Sequence, residues 1–248
     1  MTLLNVERMK LTSTRSPWWC AGIAVVLTVG LTALFSGFSR NAVGPNGERF
    51  TVTLVDAMGP AASLGLLVIM VMAALAVTNE YRFGVIRTTF QAAPHRSAVI
   101  LAKAVVLALV AAVLALLIAL LVVLVARLLT GTALPVSTPG DYRKTAGLAL
   151  VYAVAAVLAV AVGTLLRQSA AAIAVLLLVP AVIENLVLLI PRVGKDVQGW
   201  LPFTSANRFL IDPDPAAPLG PWASLGYFAG ITAVLLAVAL VVVNRRDA

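Results

Sequence analysis

The chain is poor in charge, with one cysteine and one histidine. Only 11% of its 248 residues are charged, against about 25% in soluble domains. A hydrophobic share of 61% and a mean hydropathy of +1.03 complete the contrast. These values exclude an ordinary water-soluble domain and make a bilayer the solvent. Cys20 stands alone, so neither an intramolecular disulfide nor a thiolate metal cluster can form, and it suits a small apolar place in a helix. His95 lies in a loop, away from any intramembrane serine, which argues against Ser-His hydrolysis. The phosphate-cradling pattern G-x-x-x-x-G-K-S/T is missing: Gly194-Lys195 is followed by Asp196 and has Leu189 where the first glycine belongs. No grouping of His, Cys, Asp and Glu has metal-ligand spacing either, so no cofactor is expected in this chain.

The charge that is present is mainly basic, a formal +8 with a pI near 10.4. The lysines and arginines are scattered between apolar runs rather than gathered in one patch, so membrane lipids are the expected contact and nucleic acid is not.

Apolar stretches of about 20 residues, the length that crosses a hydrocarbon core, run over Pro17–Phe38, Ala57–Thr78, Ala104–Ala126, Thr145–Leu166, Ala170–Ile190 and Pro221–Val243. The first exceeds the about 7–15 apolar residues of a signal peptide and reads as a retained helix. Six spans put both termini on one side. That side holds 10 of the basic residues against 8 opposite, and Glu48, Asp56, Asp141, Asp196, Asp212 and Asp214 all fall opposite. The balance favours cytoplasmic termini. The segments facing outward are short, and 191–220 carries Pro202, Pro213, Pro215 and Pro218 as turn punctuation. No internal repeat divides the chain.

Two polar features interrupt this pattern. After the second span, Tyr81, Val85, Ile86, Thr89 and Phe90 share one helical arc, with Arg87, Thr88 and Gln91 on the other and Arg82 intruding on the first. This predicts a short amphipathic helix ending near Pro94, which either rests among headgroups or docks on a partner. In the fifth span Glu184 follows Pro180 by four residues, beside Asn185. Proline at 180 opens a kink. An ionisable group at that depth costs about 2.5–3.5 kcal/mol, so Glu184 either faces a polar pathway or sits near the helix end, two turns before Arg192, and reaches the interface. Gly226 and Gly230 form a G-x-x-x-G pair that permits close helix contact.

The opening Glu7-Arg8-Met9-Lys10-Leu11-Thr12-Ser13-Thr14-Arg15-Ser16-Pro17-Trp18-Trp19 resembles the lead-in of small type-2 ABC transporter permeases, especially actinobacterial ones. Thr78-Asn79-Glu80-Tyr81-Arg82-Phe83-Gly84-Val85-Ile86-Arg87-Thr88-Thr89, then Pro94-His95-Arg96 and Lys103, resembles that family's E-Y-R-x-G-x-I-R-T-T … P-x-R … K stretch. The six spans and the Leu201-Pro202 turn agree with it.

The resemblance implies an all-α integral membrane fold: six transmembrane helices with cytoplasmic termini, an N-terminal interfacial helix and a short cytoplasmic coupling helix. It implies one permease domain over 1–248, with a lead-in at 1–16, a bundle at 17–243 and a tail at 244–248. The implied function is the permease subunit of an ATP-driven exporter in a bacterial cell membrane, and the short outer loops and apolar helices suit an amphiphilic cargo such as a drug, antibiotic or lipid. Its implied partners are a separate ATP-binding cassette subunit, which holds the ATP and Mg, and a second permease copy or a related permease. Glu80, Tyr81, Arg82, Phe83, Val85, Arg87 and Phe90 fall on the coupling element, while the residues themselves point to Pro180, Glu184 and Asn185 for the translocation path. Glu7 sits among Leu3, Leu4 and Leu11 on the lead-in wheel and spoils its apolar face. Two other classes fit the same residues: a proton- or ion-coupled transporter using Glu184 as relay, and a noncatalytic membrane anchor or sensor.

Overall fold

The computed structural model describes residues 3–40, 51–92, 95–130, 136–215 and 217–245, with the side chains of Arg40, Arg87, Phe90 and Ala92 left outside that description. All regular structure among the described residues is helical. Six helices are long and apolar enough to cross a membrane: Arg15–Ser39, Leu54–Arg82, Arg96–Thr130, Pro139–Leu166, Ser169–Leu189 and Pro221–Arg245. Four shorter helices accompany them, the lead-in helix Leu3–Ser13, the loop helix Val85–Ala92, and Gly194–Gln198 and Pro202–Leu210 on the far side.

The apolar runs locate all six spans but misplace several ends, and each difference has a local cause. The second and fourth spans begin earlier than hydropathy predicts because Thr53 with Asp56, and Thr138 with Asp141, form reciprocal capping boxes. The third span has 35 residues, about 52 Å at 1.5 Å per residue. That exceeds a hydrocarbon core of about 30 Å, so its ends project, and Lys103 belongs to this helix rather than to the preceding loop. The second span continues past Thr78 to Arg82 and stops at Gly84, whose φ of +71° suits glycine. Residues 80–90, expected as a single coupling element, are thereby divided between the foot of the second span and the loop helix. Segment 191–220, expected as a proline-punctuated loop, contains two helices. Pro202 opens the longer one at a position where its missing N–H costs nothing.

The fourth span lies at the centre. It has 72% of its most apolar window buried, against 17% for the fifth span, and packs against the second, third and sixth. Its Tyr152 is fully buried and donates a 2.6 Å hydrogen bond to the carbonyl of Ala61. That carbonyl opens a π-helical turn, Ala61–Gly65, directly after Pro60. Widening the helix there disturbs the regular bonding pattern, and the Tyr152 hydroxyl supplies a donor. Gly65 permits the approach, since a Cβ there would collide with the Tyr152 hydroxyl and the Thr28 methyl. Gly226 and Gly230 make no such contact: a Cβ at either would meet nothing within 4 Å.

Candidate functional site: two polar clusters at opposite ends of the bundle

At the end that carries the lead-in helix, four charged side chains from three elements meet. Lys103 Nζ lies 2.5 Å from Glu7 Oε2 and 2.8 Å from Glu80 Oε1. Lys10 Nζ lies 2.8 Å from Glu7 Oε1 and 3.2 Å from Glu80 Oε1, and donates to Thr89 Oγ1 on the loop helix at 3.3 Å. Glu7 and Lys103 are almost wholly buried, so each charge needs the other: an unpaired ion in such surroundings carries a penalty of several kcal/mol. The residue that spoils the lead-in helix's apolar face is therefore the one that anchors it. Burial alone would depress Lys10, but the Glu7 and Glu80 carboxylates outweigh it and hold its ammonium above the usual lysine range.

The sequence-predicted coupling residues divide about this network. Glu80 faces inward onto Lys10 and Lys103. Tyr81 is half-buried, with the Arg167 guanidinium 5.3 Å from its ring centroid. Arg82, Phe83 and Val85 are exposed, with Arg82 over the Phe83 ring at 5.6 Å. The side chains of Arg87 and Phe90 lie outside the described residues.

At the far end, Glu184 is buried and accepts three hydrogen bonds from the start of helix Pro202–Leu210: Phe203 N at 2.9 Å, Thr204 N at 2.7 Å and Thr204 Oγ1 at 2.8 Å. A carboxylate there satisfies amides that the helix leaves unpaired and complements the positive end of its dipole. The other end of the same helix carries cations: Arg143 donates to the carbonyls of Phe209 and Ile211, and Lys144 lies 2.5 Å from Asp212. Pro180 sits in a π-helical turn, Val179–Ile183, and Asn185 Nδ2 donates back to the carbonyl of Ala181 at 3.0 Å. Pro180, Glu184 and Asn185 share a cavity of about 450 Å³ with Ser63, Thr204 and Asn207.

Glu7, Lys10 and Lys103 entered the sequence reading only as parts of the two motifs, not as site residues, and Arg143 was passed over. The signal for the first pair was present as charge on an otherwise apolar helical face. Arg143 offered none, because its acceptors are backbone carbonyls more than 60 residues away.

An all-helical bundle with six apolar helices, an anchored lead-in helix and an exposed helical loop is a multi-pass membrane protein. The chain belongs to the ABC-2 family transporter proteins, which it matches over residues 3–183. The match takes in the lead-in helix, the charge network and the loop helix, and ends one residue before Glu184. Comparison with curated proteins gave no match. Family membership makes the chain an ABC permease subunit, and implies in general an ATP-binding partner.

Proposed function

We propose that this permease subunit lines the translocation path of an ATP-driven exporter for an amphiphilic cargo, a drug, antibiotic or lipid. ATP and Mg are bound by a separate ATP-binding cassette subunit that docks at the coupling element, residues 80–90. The observation that carries this reading is the Glu7–Lys10–Glu80–Lys103 network at the foot of the loop helix. A force on the loop reaches the lead-in helix, the second span and the third span together, because a buried, mutually paired charge cluster has few other low-energy arrangements. Coupling needs contacts that differ between the partner's states. Exposed Arg82, Phe83 and Val85 offer the aromatic and arginine surface that interfaces favour. Glu80 and Tyr81 back that surface, and Arg87 and Phe90 belong to the same coupling element by sequence.

The path includes the cavity at Pro180, Glu184 and Asn185, whose mixed apolar and polar walls suit an amphiphile. A second copy or a related permease completes it. The chain sits in a bacterial cell membrane with both termini cytoplasmic, a placement supported by the excess of basic residues on the terminal side.

Affinity purification of the tagged chain from native membranes, with mass identification and an ATPase assay, tests the reading. An ATP-binding subunit should copurify and be lost or weakened when Arg82 and Phe83 are both changed to alanine. A chain that purifies alone and without ATPase activity overturns it.

A further inference from the structure

We infer that the cavity beside the fifth span is a headgroup pocket selective for amphiphiles with an uncharged, hydrogen-bonding head bearing hydroxyls or amides. This rests on the reading of that cavity as part of the translocation path. Its polar lining is rich in neutral groups: Ser63, Asn185, Gln198, Thr204 and Asn207. Gln198 and Asn207 make no side-chain hydrogen bond among the described residues, so two complete carboxamides stand ready, each both donor and acceptor. Asn185 spends its amide hydrogens on the backbone at Pro180 and Ala181, leaving its oxygen as an acceptor. Ser63 and Thr204 donate to Gly59 O and Glu184 Oε2, and keep accepting lone pairs.

The one ionised group in this lining, Glu184, is engaged by three donors from residues 203 and 204. Its charge faces a helix N-terminus rather than an open counter-ion position. The cavity is half open, with Ser63, Asn185 and Asn207 exposed, so a cation or anion entering it gives up part of its hydration without gaining an unengaged opposite charge, which is costly. A hydroxyl or amide exchanges water for matched partners. The walls around this polar group are apolar, with Leu64, Leu67 and Val151 among them, and accommodate the first methylenes of a chain.

The test uses the full-length chain in phosphatidylcholine nanodiscs and three probes with the same twelve-carbon chain: N-(2-hydroxyethyl)dodecanamide, dodecyltrimethylammonium and dodecyl sulfate. Retention is measured above that of chain-free nanodiscs. The neutral probe should bind at least tenfold more tightly than either ion, and Asn207→Leu with Gln198→Leu should erase the difference. Asn207→Asp should move the preference toward the cation, a reversal that a misfolded protein does not produce. Equal binding of all three heads, or leucine variants with the wild-type preference, overturns the inference. A copurifying ATPase without head preference removes this pocket and leaves the exporter reading standing, whereas head preference without an ATPase partner does the reverse. Lipid extraction of the purified chain separates the sources: a stoichiometric neutral lipid, lost in the leucine variants, identifies a resident membrane lipid, and probe binding without one identifies a cargo.

Discussion

Replacing Lys103 by methionine isolates the energetic role of the buried network. Methionine keeps the length and much of the apolar stem, so packing in the third span is largely retained, while the ammonium shared by Glu7 and Glu80 disappears. Breaking a buried pair from one side costs about 3–5 kcal/mol, whereas exchanging both partners for apolar groups is often neutral or stabilising. Lys10 still reaches both carboxylates at 2.8 and 3.2 Å, which places the expected loss near the lower end, about 3 kcal/mol. Glu7→Leu alone strands less charge, because Lys103 keeps Glu80, and should cost about 2–3 kcal/mol as a lost charge-assisted hydrogen bond. The double variant should cost about 3–4 kcal/mol, little more than Lys103→Met alone, because the Glu7–Lys103 contact is lost only once, giving a coupling energy of about 2 kcal/mol. Reversible unfolding of the four proteins in one lipid–detergent mixture measures the cycle. If Lys103→Met costs less than about 1 kcal/mol, as exposed pairs do, or if the two losses simply add, the anchoring role assigned to this network is wrong.

Four further outcomes follow from the same geometry. Tyr152→Phe leaves the Ala61 carbonyl without its 2.6 Å donor and should cost about 1–3 kcal/mol, while Gly65→Ala, which drives a methyl into Tyr152, should lower the unfolding temperature further. Glu184→Ala should speed amide hydrogen exchange at Phe203 and Thr204 by roughly tenfold or more, since about 1–3 kcal/mol of capping is lost; unchanged exchange there contradicts the cap. Transport by a Glu184→Gln variant supplied with ATP should continue at a reduced rate, and complete loss would instead favour the proton-relay alternative. Because the Lys10 pKa is raised in the folded chain, its contribution is full below the ordinary lysine value of 10.5 and fades as pH rises through the higher folded value; proteolysis within residues 3–15 should accelerate only in that alkaline window, and a change centred near neutral pH would contradict the assignment.

The six spans were legible in the sequence because hydropathy is a local, additive property, and about 20 apolar residues cross a bilayer whatever their neighbours do. The break at Gly84 was missed, since residues 80–90 were expected as one element, although a glycine there, with φ of +71°, is what lets the chain leave the second span. Span ends were less legible than the spans: capping by Thr53 with Asp56 depends on backbone geometry that hydropathy ignores. The helix over Pro202–Leu210 was hidden by the prolines around it, since proline can open a helix as readily as punctuate a loop. The Gly226–Gly230 pair looked like a packing motif, yet close approach inside this chain occurs at Gly65, because packing depends on which residue faces a large neighbour.

By itself, then, the sequence determined that this chain lives in a membrane, crosses it six times and carries a polar, arginine-bearing loop between the second and third spans. Tertiary structure alone decided what the buried charges do. Glu7 meets Lys103 across 96 residues, and Glu184 meets the backbone of a helix 19 residues on. The physical reason is that a charge inside a bundle is stable only beside its partner, and partners are brought together by helix packing, which no local stretch of sequence contains.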